Sequence, residues 1–168
     1  METFTLKHYA SQHATRELAC GLSNILQRRV DKIVCVGTDR STGDSLGPLV
    51  GTMLRNKGFS NIVGDLESPI HAENLDGLRF HPTETVLAID ASLGTRQEIG
   101  EIMVRPGPLR PGLGVKKKLQ PVGNYYIAGI VNVGGFMEYM VLQNTRLGVV
   151  YQMAKVIADA ICESGICA

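Results

Sequence analysis

Two short β-branched runs, Lys32-Ile33-Val34-Cys35-Val36 and Thr85-Val86-Leu87-Ala88-Ile89, each stop at a polar turn. They are too short for helices and apolar enough to be buried on both faces, as strands of a parallel sheet are. Between and around them the apolar positions recur at helical spacing. Ala14, Leu18, Leu22, Ile25 and Leu26 predict an amphipathic helix over 9–29, and Leu46, Leu49, Val50, Met53 and Leu54 predict a second that runs to about residue 57, with Pro48 in its first turn and Gly58 at its stop.

Further along, 62–66 reads as a strand, 71–78 as a short helix, and 99–104 as an edge strand. Residues 105–123 are rich in Pro and Gly and predict a long loop, the natural lid or substrate-binding element of an enzyme. A strand is expected over 126–133. Helix follows from 136 to 163, broken near 144–145, with Leu147, Val150, Tyr151, Ala154 and Ile157 in its buried stripe. Alternating strands and helices predict an α/β fold, a three-layer α/β/α arrangement on a mostly parallel sheet with right-handed crossovers.

At 168 residues the chain is expected to be one domain, 1–168, burying roughly 70% of its unfolded surface. A formal charge of +1 gives no general attraction to nucleic acid or membrane. No apolar run reaches the ~20 residues of a membrane span, and the first 18 residues lack the apolar stretch of a secretory signal, so a cytoplasmic location is expected. The four cysteines form no CxxC pair; Cys20, Cys35 and Cys162 are expected as core thiols and Cys167 as part of a frayed end.

Function must then come from a site, and the sequence offers one. VCVGTDRSTGDSLGP, residues 34–48, leaves the first of these strands through a loop carrying Asp39 and Asp44, and VLAIDASLG ends a neighbouring strand in Asp90. In open α/β sheets ligands collect beyond the carboxyl ends of the strands, which would set Asp44 and Asp90 across one crevice. Two close carboxylates share a proton and act as acid and base, or hold a cation. Local alternatives compete: Asp44 as the N-cap of the next helix, Asp90 as the cap of its turn, and Asp39 paired with a loop amide or Arg40. The loop lacks the Lys-Ser/Thr of a Walker motif and the glycines of GxGxxG, so nucleotide binding is not expected.

Oxyanion donors are sought at the amides of Gly43, Ser45, Gly134 and Gly135, with Asn124 and Asn132 as side-chain candidates. Lys116, Lys117 and Lys118 either guide an acidic peptide or form a solvated charge run. The apolar segment GIVNVGGFMEYMVL reads equally as core or as subunit contact, so a homo-oligomer is left open.

The pairing of VCVGTDRSTGDSLGPLVG with VLAIDASLG, followed by IAGIVNVGG, resembles the YyaC-like family of sporulation proteins over nearly the whole chain. That family is similar to the spore germination protease and, more distantly, to the hydrogenase-maturation endopeptidases, which implies a phosphorylase/hydrolase-like fold. In the germination protease one essential aspartate comes from a D-x-L-G-P segment and the other from a strand ending I-D-A; the matching residues are Asp44 and Asp90. The resemblance therefore implies a sporulation-associated endopeptidase acting on a protein or peptide in the forespore or spore core, with small acid-soluble spore proteins as one substrate class.

The maturation enzymes add a histidine around a nickel-containing substrate, but no histidine lies in 105–124, and His71 and His81 read as surface or turn residues. Two oxygen donors are too few for Zn or Ni, so no metal and no cofactor is expected. Two other readings remain: a non-catalytic regulatory or binding protein on the same scaffold, and a metal-assisted hydrolase using Asp39, Asp44 and Asp90 around Mg or Mn.

Overall fold

Six strands form one mixed sheet in the order β1-β5-β6-β4-β2-β3 in a computed structural model that describes residues 2–111 and 119–167. The strands are β1 (Phe4–Leu6), β2 (Lys32–Cys35), β3 (Ile62–Val63), β4 (Val86–Gly94), β5 (Ile102–Pro106) and β6 (Tyr125–Val133). The helices are α1 (Ala14–Ile25), α2 (Leu46–Asn56), α3 (Glu138–Gln143) and α4 (Leu147–Ser164), with 3-10 turns at Gly43–Ser45 and Leu75–Gly77. Strands β3, β2, β4 and β6 run parallel, while β5 pairs antiparallel with β6 and β1 antiparallel with β5. The α/β architecture on a mixed, mainly parallel sheet is the one the alternating pattern calls for.

One face of the sheet carries the main core. Leu18 and Leu22 of α1, Val50 and Leu54 of α2, and Met153 and Ile157 of α4 pack over Ile33, Leu87, Ile89 and Ile127. Leu22 has 0% exposure. Leu22→Ala is expected to cost about 2–5 kcal/mol, because the transfer loss is joined by a cavity that three packed elements cannot close, and urea unfolding measures it. The opposite face is covered by irregular chain: Leu75, Leu109 and Val122 pack on Val34, Val36, Val86 and Ala88. Its only regular element among the described residues is the turn at Leu75–Gly77.

Several expected boundaries move, each for a local reason. Residues 9–13 are not helical: Tyr9 N–H is held by Gly100 O, and Ser11 N–H bonds His8 O in a tight turn. The strand expected at 62–66 stops at Val63 because Gly64 takes φ +95° and Asp65 Oδ1 collects the amides of Glu67 and Ser68. The helix expected at 71–78 shrinks to one 3-10 turn. The strand expected at the edge, 99–104, is β5 and lies one strand in, covered by the three-residue β1. The helix break near 144–145 is found between α3 and α4.

The cysteine expectations hold for Cys35 alone, which is fully buried with burial pushing its thiol well up. Cys20 and Cys162 are exposed, on the outward sides of helices whose buried stripes run through Leu18 and Leu22 and through Ala158 and Ile161. Cys167 is not frayed: Val30 N–H bonds Ile166 O, and Cys167 bridges Val30 in parallel. No helix among the described residues is long and apolar enough to cross a membrane. Lys116, Lys117 and Lys118 lie outside the described residues.

Candidate active site

Asp44 and Asp90 come from two hydrogen-bonded parallel neighbours. Cys35, the last residue of β2, pairs with Ile89, so Asp90 begins the part of β4 that outruns β2. Past β2 the chain turns sharply at Gly37, whose φ of +139° favours glycine. A Cβ there would also collide with the carbonyl O of Asp44. Thr38 N–H then bonds Asp44 O at 3.1 Å, closing the loop and returning Asp44 to the carboxyl end of β2. Helix α2 seats close behind, because Gly47 presents no Cβ to the carbonyl O of Val36.

The local explanations for the two carboxylates fall short. Helix α2 has Ser45 as its N-cap residue and no side-chain cap, and Asp44 sits inside the preceding 3-10 turn. Asp90 Oδ1 accepts one bond, from the adjacent Ala91 N–H at 2.8 Å. Burial raises Asp44 above its ordinary range, opposed by the neighbouring Ser41 hydroxyl. Ser41 Oγ is itself buried and makes no hydrogen bond of full geometry, so turning it towards the Asp44 carboxylate is its available satisfaction. Burial raises Asp90 well above its ordinary range and the Asp44 charge raises it further, with the Ala91 amide acting the other way. The Asp44 charge thus acts on Asp90, and burial favours the protonated form of each carboxyl.

The supporting residues divide. Gly43 lies in the same turn, pressed against Leu142 of α3, and its amide has no partner among the described residues. It remains a candidate oxyanion donor. Ser45 does not: its amide and its hydroxyl both bond Thr42 O. Gly134 N–H is donated to Gly94 O and Gly135 N–H to Glu138 Oε1, so that turn is closed upon itself. Asn124 is at the wrong end of the sheet; it precedes β6, and its Oδ1 accepts Val86 N–H at the amino end of β4. Asp39 is exposed and forms no ion pair with Arg40.

Asn132 is at the carboxyl end of β6, but its side chain is already engaged. Its Nδ2 donates to Thr145 Oγ1 at 3.1 Å and to Val141 O at 3.4 Å, and its Oδ1 accepts Val133 N–H. It positions α3 over the site. Asn132→Leu is expected to lower stability by about 1–3 kcal/mol in thermal unfolding, because it strands polar groups at that junction. Ser41 and Thr145 were not foreseen; a lone Ser in a loop and a Thr between helices carry no spacing signal.

The apolar segment around α3 resolves into two parts: Ile130 and Val131 are buried, whereas Phe136 is 79% exposed and Met137, Tyr139 and Met140 are also exposed. His71 and His81 are turn residues, His71 with Nδ1 accepting Glu73 N–H and His81 with its amide on Glu84. No three of His, Cys, Asp and Glu converge among the described residues. Two carboxylates do not make a closed Zn or Ni site, so the residues present do not fit a resident metal of that kind.

Residues 6–160 match the family described as Protein of unknown function (DUF1256). The chain belongs to that family. It is 44% identical over 169 residues to the protein named Uncharacterized protein YyaC of Bacillus subtilis (strain 168), covering 93% of this chain and 82% of that one. Among solved structures it resembles the [NiFe] hydrogenase maturation protease HycI from Thermococcus kodakarensis KOD1, with a TM-score of 0.52, 17% identity, and 84% and 98% of the two chains covered. At that identity the likeness is one of fold.

Proposed function

We propose that this member of the family is an endopeptidase in which Asp44 and Asp90 share one proton. The observation that carries the reading is a pair of half-buried carboxylates, one raised by the other's charge, that have almost no structural work to do. The ionised carboxylate takes a proton from water as its oxygen attacks the scissile carbonyl carbon. The protonated one then gives its proton to the departing amine, and the free Gly43 amide is available to the oxyanion. The protease-type fold and the resemblance of Asp44-Ser45-Leu46-Gly47-Pro48 and Ile89-Asp90-Ala91 to the germination protease support the same chemistry, and with it a sporulation-stage protein substrate in the forespore or spore core.

The test is digestion of small acid-soluble spore proteins and of a random peptide library by wild type, Asp44→Asn and Asp90→Asn, with and without EDTA. Cleavage lost in both variants and indifferent to EDTA is expected. Cleavage abolished by EDTA and restored by one divalent cation would favour the metal-assisted hydrolase instead. A second reading, a binding protein on the same scaffold, is favoured by the exposed apolar residues beside the site, and no cleavage by folded wild type would support it.

A further inference from the structure

Strand β4 continues past the end of its neighbour. Its pairing with β2 stops at Cys35 and Ile89, whereas its pairing with β6 runs on to Gly94. Its exposure changes at the same point, from four buried residues, Val86 to Ile89, to five half-buried ones, Asp90 to Gly94.

Three bonds fix which way the backbone groups of that extension point. Asn124 N–H bonds Val86 O and Gly134 N–H bonds Gly94 O, so even-numbered residues face β6; Val36 N–H bonds Ile89 O, so odd-numbered residues face β2. Ala91 and Leu93 therefore direct their backbone groups to the side that β2 has vacated. The Val36 carbonyl would be the ladder partner of Ala91 N–H, but it has turned against Gly47, and Asp90 Oδ1 takes that amide instead. Ala91 C=O and Leu93 N–H have no partner among the described residues. In a parallel ladder these are the two groups that one residue of the next strand would engage, through its own N–H and C=O respectively.

We propose that this edge is the substrate-binding strand: an extended peptide lies parallel to β4, one of its residues bonding Ala91 C=O and Leu93 N–H, in the place β2 would have filled had Gly37 not turned the chain away. The ligand class is an unfolded or extended polypeptide segment, held through main-chain bonds. The register brings its backbone next to Asp90, and the turn carrying Asp44 packs against the same strand. The edge rests on the proposed peptidase site for its purpose but not for its existence, since the vacancy would bind a peptide whether or not it is cut.

The probe is a set of decapeptides selected from a random phage-displayed library on folded Asp90→Asn protein, which keeps a side-chain acceptor for Ala91. Each selected peptide is scanned by single backbone N-methylation, and amide hydrogen exchange of Leu93 is followed with and without it. Methylation at one interior position is expected to weaken binding about tenfold, the effect of one lost hydrogen bond, and Leu93 exchange is expected to slow by at least about tenfold. Failure to select any peptide, a flat methylation scan, or unchanged Leu93 exchange in the complex would each overturn the proposal. Incubating the same peptides with wild type separates the two claims: protection of Leu93 without cleavage removes the peptidase reading and leaves the edge, while cleavage without protection does the reverse.

Discussion

Asp90→Asn is expected to abolish peptide hydrolysis and, at the same time, to stabilise the fold at neutral pH. The activity loss is about 10²–10⁴-fold for removal of one acid–base partner, and Asp44→Asn should lose a similar amount, with the double variant little worse than either single one. The stability effect follows from linkage. Asp90 is raised well above its ordinary value of 3.8 in the folded chain, first by burial and then by the Asp44 charge. Between that ordinary value and the raised one the native state binds more protons than the unfolded state, so stability falls as pH rises through that window. Below it the contribution is fully present. Asparagine never ionises, so Asp90→Asn should unfold at higher urea than wild type at pH 7 and gain nothing near pH 3. A carboxylate held in place by cations or amides would give the opposite slope, and Asp65 illustrates it: burial pushes it up, but the Ser68 amide, the Arg55 guanidinium and the Glu67 amide together outweigh that, and its pKa is lowered.

Gly47→Ala should produce a large loss of stability for so small a substitution near the site. A Cβ at Gly47 would collide with the carbonyl O of Val36 and crowd that residue's backbone C and N. No flexible side chain is there to move, so β2 and α2 must separate, at a cost of about 3 kcal/mol in urea unfolding. Because α2 is continuous with the turn that carries Asp44, peptidase activity should fall as well. Gly77→Ala is the control: nothing lies within 4 Å of its added Cβ, and stability should stay within about 0.5 kcal/mol of wild type.

The elements read most directly from the sequence are those with their own periodicity: β2, β4 and β6 as compact apolar runs, α2 and α4 as helical stripes. Strand β1 was invisible because three residues have no period, and it exists by pairing Phe4 with Val104 and Leu6 with Ile102. The irregular layer was illegible for a similar reason, since Leu75, Leu109 and Val122 are scattered residues that fold alone places together. The same contrast runs through the site. Asp44 was visible because it lies in the loop after a strand, and Asp90 because the buried apolar run of β4 stops there; the strand itself, expected to end at Asp90, continues to Gly94. Asn124 and Asn132 look alike in sequence, yet one precedes β6 and the other closes it, which puts them at opposite ends of the sheet. Ser45 and Gly134 fail as donors because their amides are already bonded, a fact about partners that residue type does not carry.

Titration of the side-chain carboxyl carbons of Asp44 and Asp90 by ¹³C NMR, in wild type and in Asp44→Asn, tests the shared-proton claim most directly. The expected result is an Asp90 carboxyl that stays protonated well above the ordinary aspartate range in wild type and drops part of the way back when Asp44 is replaced, the remainder being due to burial. Two carboxylates that each ionise near the ordinary value, indifferent to one another, would contradict the paired site and the chemistry built on it.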